Sequence, residues 1–437
     1  MPDSASKVKG RKMGVPGAMA VGIGGMVGGG IFAVLGEAVA LAHGATALAF
    51  AIAGAIALVT AYSYAHLSVR FPSGGGTVTY IHRAFGADLL TGTLNMVLWL
   101  SYLVTLALYA VAFGSYGLTF FPQGHEIWLR PVLISTAIIL PIIINLFSAE
   151  VVSRSETLVV VVKLLLLAAV IVAGAPFVDT ARFAPTTWGA PASIAAAGMA
   201  IFVAYEGFEL IANASEDVAD PARTLPRAFY GSVTLVLLLY VAVALVTVGT
   251  VPDARIAEVK DYALAEAARP AMGQVGFTLV ALSALLATFS AINATLYGSA
   301  RLGFTLAKDG ELPEMLERKV WNEPVAGVLT SGGLALLVAN LVDIGSIAMI
   351  ASGGFLLIFA ATNAAATRLA SEIGGKAWVA AVATLGCTAA LTTLLVETAR
   401  DNPLALGFFL GFVMFAWGFE LTYGRLRRRR LALPGRS

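Results

Sequence analysis

Residues 14–42 read GVPGAMAVGIGGMVGGGIFAVLGEAVALA, an apolar stretch that is unusually rich in glycine. Because about 20 helical residues cross roughly 30 Å of hydrocarbon, the stretch predicts a transmembrane helix. Its consecutive glycines, Gly28, Gly29 and Gly30, fall near the middle of the span, where a run without side chains favours unwinding. Non-helical backbone at this depth is tolerated only beside protein or a cavity. The stretch therefore predicts a broken helix whose free peptide groups bind a ligand.

The composition of the whole chain is that of a membrane protein. Of its 437 residues, 58% are hydrophobic and 12% are charged, whereas soluble domains are about 45–50% apolar and about 25% charged. A soluble protein is excluded, because too few charged residues are present to cover a large core. The single cysteine, Cys387, excludes an internal disulfide framework and a thiolate metal cluster, and the net charge of +2 excludes a general binder of nucleic acid.

Twelve apolar stretches are long enough to span a bilayer. They are continuous rather than alternating, which predicts helices and not a β-barrel. The sequence therefore predicts an all-α membrane protein with no separate soluble domain. The predicted spans are 15–41, 46–70, 88–121, 131–148, 155–178, 192–219, 229–251, 273–306, 325–342, 346–368, 378–396 and 403–422.

The positions of lysine and arginine predict the orientation of the chain. These residues are retained on the cytoplasmic side of short loops, and twenty-one of the 28 lie in the even-numbered loops and the two tails. We therefore expect cytoplasmic tails at 1–14 and 423–437, the second of them basic, in a multi-pass protein of the plasma membrane. The first apolar run is too long for a cleaved signal peptide and is interpreted as an uncleaved first span.

A second span carries a comparable interruption. Residues 193–221 read SIAAAGMAIFVAYEGFELIANASEDVADP, with two acids and a glycine near the middle. This span and the first open two successive blocks of five spans, and interrupted helices at corresponding places in two halves indicate an inverted-repeat transporter. The N–H groups at the start of a half-helix suit a carboxylate, and freed carbonyl groups suit an ammonium or a cation. A zwitterion, which carries a carboxylate and an ammonium, would bind to both kinds of backbone group.

Three segments carry a family resemblance. In combination they resemble the amino acid, polyamine and organocation (APC) transporter superfamily, and the resemblance extends over nearly the whole chain. The segments are GIGGMVGGGIF (22–32), YEGFELIANASEDVADPARTLPRAF (205–229) and NATLYGSARLGFTLAKDGELP (293–313).

The resemblance implies a twelve-helix, leucine-transporter-like fold with broken helices 1 and 6. Spans 1–5, residues 15–178, and spans 6–10, residues 192–368, would form the two inverted repeats. Spans 11 and 12, residues 378–422, would lie at the periphery. The implied function is proton-coupled uptake of amino acids by alternating access, as in prokaryotic members of the superfamily.

The resemblance also implies a substrate site. The N–H groups of Gly29 and Gly30 would hold the substrate carboxylate, and carbonyl groups in both breaks would receive its amino group. Phe202 and Tyr205 would be the aromatic lids. The carbonyl groups are those of Met26, Val203 and Glu206, and the whole predicted site is Met26, Gly28, Gly29, Gly30, Phe202, Val203, Tyr205, Glu206 and Gly207.

Lys163 is a charge inside the fifth predicted span, within SETLVVVVKLLLLAAVIVAG (155–174). It lies eight residues after Ser155, so it is roughly 12 Å into the helix. The long side chain could return its ammonium to the interface. Alternatively, burial disfavours the charged form and allows proton exchange near neutral pH. In proton-coupled relatives, the resemblance implies, such a lysine replaces a sodium ion beside the carbonyl groups of Gly24 and Val27 and the hydroxyl of Ser290.

Two acids compete with Lys163 for the proton-coupling role. Glu209 matches a position at which the superfamily often has an acid, and it could carry a proton or cap N–H groups freed by the break. Glu206 could instead face a cationic substrate, which would shift specificity towards arginine, lysine or polyamines.

The sequence disfavours some function classes other than a transporter and leaves others open. An enzyme is disfavoured because the chain has neither an HExxH helix nor a GxSxG turn, and no cofactor or metal is predicted. A channel would not accumulate solute against a gradient. A sodium-independent amino acid or polyamine exchanger, or a sensor or subunit that binds amino acid without moving it, stays open. The expected partners are an amino acid, protons and the lipid bilayer, with no nucleic acid and no obligate protein partner.

Overall fold

The computed structural model of the protein describes residues 12–122, 124–147, 149–317 and 325–424. The regular secondary structure of these residues consists of helices, and no strand is formed among them. Most of the two predicted tails, 1–14 and 423–437, lies outside the described residues. The helices are α1 (Val15–Met26), α2 (Gly30–Ala42), α3 (Thr46–Arg70), α4 (Thr77–Phe85), α5 (Leu89–Leu118), α6 (Glu126–Phe147), α7 (Ala149–Gly174), α8 (Pro191–Ala200), α9 (Leu210–Asn213), α10 (Pro221–Thr250), α11 (Asp253–Val259), α12 (Ala263–Ala267), α13 (Arg269–Lys308), α14 (Val325–Leu341), α15 (Ile344–Arg368), α16 (Ala370–Ile373), α17 (Ala377–Asp401) and α18 (Pro403–Phe419).

Within the described residues, nine helices are long and apolar enough to cross a membrane, and the number rises to eleven if each of two bent helix pairs is one span. A further apolar helix, α14, has 17 residues and is shorter than these. Every predicted span coincides with one of these elements. The count of twelve crossings and the inverted repeat stay predictions.

Several helices extend beyond the predicted span limits. α10 begins at Pro221 rather than at 229 and includes Arg223 and Arg227, and α6 begins at Glu126 rather than at 131. Charge keeps a segment out of hydrocarbon but not out of a helix, so these helices continue into the polar layer. Proline at the first turn also favours the earlier start of α10. The short helices α4, α11 and α12 were not predicted.

α5 lies at the centre of the bundle, and most of its residues are buried. It packs against α13 and α15, while α3 packs along α10. α17 and α18 expose large apolar side chains, among them Leu385 and Phe415; their place at the periphery of two repeats stays a prediction.

Both predicted breaks are present. α1 and α2 are bent by 49° and are separated at Val27–Gly29, with Gly30 the first residue of α2. α8 and the segment 202–213 are bent by 44°. The second break begins at Ile201, earlier than predicted, and includes a 3₁₀ turn at Phe202–Tyr205 before α9 starts.

The two breaks touch each other through glycine. A Cβ atom on Gly25 would lie 2.8 Å from the Gly207 Cα, and one on Gly30 would lie 2.7 Å from the Ala204 Cα. Gly207 has a φ of +116°, a conformation that side chains strongly disfavour. Glycine at these positions therefore allows the two backbones to approach more closely than any side chain would permit.

We predict that Gly207→Ala destabilises the protein, because the new methyl group meets the Gly25 backbone and the backbone conformation becomes strained. Strain of this kind costs about 1–3 kcal/mol. Thermal unfolding in detergent should show a melting temperature several degrees lower. Gly386→Ala is the matched control, since a Cβ there meets nothing within 4 Å. Equal melting temperatures for the two variants would contradict the packing described above.

Candidate functional site

The last turn of α1 has carbonyl groups without partners inside the helix, as every helix end does. Two of them are bonded by side chains of other helices, while the Ile23 carbonyl keeps its ordinary helical bond from the C-cap residue. The Val27 N–H donates to the Ile23 carbonyl at 2.8 Å. Lys163 Nζ donates to the Gly24 carbonyl at 2.9 Å, and the Tyr240 hydroxyl donates to the Met26 carbonyl at 2.6 Å. The first break thus takes its stabilising donors from two distant helices, α7 and α10.

The second break is stabilised in a similar way. The Ser352 hydroxyl donates to the Ala200 carbonyl at 2.7 Å and accepts the Val203 N–H at 3.0 Å. The Tyr240 hydroxyl also lies 3.1 Å from the Ala204 carbonyl. Since a phenol has one proton, Tyr240 shares it between one carbonyl of each break, which ties the two breaks together.

Lys163 is 2% exposed, and its ammonium lies against α1 inside the bundle. The contact with Gly24 is the one that the family resemblance implied. Of the other two implied neighbours, Val27 follows the end of α1, and Ser290 is half-buried on α13, which packs against α7. Their part in proton coupling stays a prediction.

Glu206 and Glu209 are both buried beside the second break. Glu209 Oε2 accepts the Gly207 N–H at 2.7 Å, and its Oε1 accepts the Tyr102 hydroxyl at 3.1 Å. Glu206 Oε2 accepts the Tyr109 hydroxyl at 3.1 Å. The bond to Gly207 is the capping geometry that was one of the two interpretations of Glu209.

A third aromatic residue, besides the two expected lids, lies at the predicted carboxylate site. Gly29 lies against the ring of Tyr109, so closely that a Cβ would overlap the ring. Phe202 packs against Phe359, and the Tyr205 hydroxyl donates to the Phe50 carbonyl at 2.8 Å. The role of these two residues as lids stays a prediction. The whole predicted substrate site is buried.

A cavity of about 710 Å³ lies beside the second break. Its walls come from α1, α5, α6, α13, the loop before α4 and the residues around α9. Among the described residues its lining includes none of the predicted substrate residues. Tyr102, the partner of Glu209, forms part of its wall.

Comparison with known proteins shows the family of the chain. Residues 13–417 match the family described as amino acid permease. The chain belongs to this family, within the APC superfamily. It is therefore a multi-pass membrane protein of a transporter family.

Three relatives with similar sequences differ in their identity to this chain and in the share of each chain that is covered. It is 34% identical over 373 residues, 85% of each chain, to the uncharacterized protein MJ0609 of Methanocaldococcus jannaschii. It is 32% identical over 410 residues to the inner membrane transport protein YbaT of Escherichia coli, covering 93% of this chain and 95% of that one. It is 29% identical over 328 residues to the chloroplastic cationic amino acid transporter 9 of Arabidopsis thaliana, covering 70% and 57% of the two chains.

Two residues that bond the breaks of the permease are not indicated by the sequence. Tyr240 and Ser352 bond the breaks from α10 and α15, and neither belongs to a motif. Tyr109 bonds Glu206 from α5. Ser101, Thr105 and Tyr109 recur every four residues and so share a helix face, a pattern that suits bundle hydrogen bonding or pocket lining but indicates no partner.

We predict that Tyr240→Phe destabilises the permease although the ring is retained. The change leaves the Met26 and Ala204 carbonyls without their donor, and a buried group that loses its partner costs about 1–3 kcal/mol. Thermal unfolding should show a lower melting temperature than for Tyr230→Phe, a control on the same helix at a half-buried position. Indistinguishable melting temperatures would show that the hydroxyl does not hold the breaks.

Proposed function

We propose that this permease is a proton-coupled secondary active transporter that takes up amino acids by alternating access. In this proposal residues 15–178 and 192–368 form inverted repeats, and residues 378–422 are peripheral. Both tails, 1–14 and 423–437, face the cytoplasm. The bent pairs α1–α2 and α8–α9 support the proposal, because each would open one repeat. The relative named as an inner membrane transport protein supports a location in the cell membrane.

Proton coupling is proposed on one observation, the hydrogen bond from Lys163 Nζ to the Gly24 carbonyl. A charged ammonium gives a stronger hydrogen bond than a neutral amine. The ammonium therefore braces α7 against the end of α1 while it is protonated. Loss of the proton weakens this brace, so that α1 is released and the inward-facing and outward-facing states exchange.

The substrate half of the proposal uses the peptide groups at the two breaks. The N–H groups of Gly29 and Gly30 begin α2 and suit a carboxylate. The carbonyl groups of Met26, Val203 and Glu206 receive the amino group. The Met26 and Val203 carbonyls already accept bonds from Tyr240 and the Glu206 N–H, so the substrate either uses their second lone pairs or displaces these donors.

A second candidate class is cationic amino acids. Glu206 supports it, because a buried carboxylate with a phenol donor is a suitable counter-charge for a substrate cation. The Arabidopsis relative is named as a cationic amino acid transporter. Neutral amino acids are the first candidate, since a carboxylate that is partly satisfied by Tyr109 does not require a cation.

We predict that Lys163→Gln abolishes proton-driven accumulation. Glutamine retains a donor for the Gly24 carbonyl but does not titrate in the physiological range. Proteoliposomes without sodium should show at least a tenfold lower accumulation of radiolabelled amino acid under an imposed pH gradient. Exchange of labelled for unlabelled substrate, which needs no gradient, should continue. Lys376→Gln, at an exposed position, is the control. Full gradient-driven accumulation by Lys163→Gln and by Lys163→Ala would refute the role of Lys163.

An uptake panel separates the two substrate classes. If the substrate is neutral, unlabelled alanine, serine and leucine reduce the uptake of the radiolabelled amino acid, whereas arginine, lysine and putrescine do not. Glu206→Gln then leaves this selectivity unchanged. If the substrate is cationic, arginine or lysine competes and Glu206→Gln weakens this competition at least tenfold, because the counter-charge is lost. We predict the first pattern, and competition by arginine or lysine alone would overturn it.

A further inference from the structure

The cavity of about 710 Å³ is separate from the buried residues predicted to hold the substrate. Its volume falls within the range of roughly 300–1,000 Å³ that is usual for small-molecule sites. It lies beside the second break, with Leu210, Asn213 and Ala214 in its wall. The composition of its wall decides whether it is only a passage or also a binding site.

Among the residues that the structure describes, the wall contains one side chain of each charge. Arg301 lies on α13 and Asp217 follows α9, so the two charges come from different elements. The Arg301 guanidinium stands 5.7 Å from the centre of the Tyr297 ring, which lines the same cavity. Packing against an aromatic ring restricts an arginine side chain, and its fork of donors suits a carboxylate.

The neutral part of the wall adds amides and apolar surface. Asn145 Nδ2 donates to the Pro141 carbonyl and to Asn293 Oδ1, while its buried Oδ1 has no donor among the described residues. Leu98 and Leu302 supply apolar surface. A wall with a cation, an anion and an apolar side matches the three parts of an amino acid.

Asn213 is held in the wall by close backbone packing. Gly76 has a φ of +44°, and a Cβ at this position would overlap Asn213 Oδ1. The loop before α4 therefore fixes this amide beside the cavity. A preformed wall reduces the entropy that ligand binding would otherwise lose.

We propose that this cavity is a second binding subsite for a free amino acid, with the carboxylate on Arg301 and the ammonium on Asp217. The inference rests on the proposed transport function. It adds a site through which the substrate passes between the breaks and the solvent on the Arg301 side. Two amino acids then bind to each chain, one at the breaks and one in the cavity.

Equilibrium dialysis of the purified full-length protein tests the subsite. The probes are radiolabelled alanine, leucine, glutamate and lysine, each used up to millimolar concentration. We expect two bound molecules per chain for at least one probe. Arg301→Gln and Asp217→Asn should each reduce this number to one. The remaining molecule shows that the variant is folded. The control Arg223→Gln, an exposed arginine near Asp220, should keep two.

The possible results separate this inference from the transport proposal. One bound molecule per wild-type chain leaves transport intact and overturns the subsite. Two bound molecules in the double variant Arg301→Gln/Asp217→Asn also overturn it. No binding of any probe contradicts both proposals.

Discussion

Every peptide group within hydrocarbon needs a partner inside the protein, and this constraint shapes the centre of the molecule. An unpaired N–H or carbonyl group there costs several kcal/mol. The breaks at Val27–Gly29 and 201–209 expose such groups at mid-helix. Side chains from four other helices meet this need: Lys163 on α7, Tyr240 on α10, Ser352 on α15 and Tyr102 on α5, the last through Glu209. The breaks persist because the rest of the bundle is arranged around them.

Glycine makes the arrangement compact. Gly25 meets Gly207, and Gly30 meets Ala204, so the two broken helices are in backbone contact. This proximity allows one hydroxyl, that of Tyr240, to reach a carbonyl of each break. A side chain at any of these glycines would separate the breaks and require more than one donor. The glycine residues bring the two breaks together, and this proximity allows the one hydroxyl of Tyr240 to bond both.

The sequence predicted the positions of the helices and breaks better than the side chains that bond the backbone at the breaks. Apolar runs located the helices, and GGG together with YEGFE located both breaks, because these signals are local. The contact of Lys163 with Gly24 was accessible only through the family resemblance. Tyr240 and Ser352 were missed, because a tyrosine or serine in an apolar helix looks like ordinary packing until the tertiary structure places it beside a free carbonyl. The role of Phe202 and Tyr205 as lids stays a prediction; the bond of the Tyr205 hydroxyl to the Phe50 carbonyl, which is far away in the chain, was likewise not indicated by the local sequence.

The donors at the end of α1 differ in a way that bears on the proposed mechanism. The Tyr240 hydroxyl is a neutral donor, whereas the Lys163 ammonium is a charged donor, and its charge strengthens the bond. In the proposed mechanism, a change in the protonation of Lys163 would act on the bond between α7 and Gly24 and leave the bond between Met26 and Tyr240 intact. Since Tyr240 and the contact of Gly25 with Gly207 join the two breaks, they would move as one unit relative to α7. Both halves of the substrate site would then keep their mutual geometry while access to them changes.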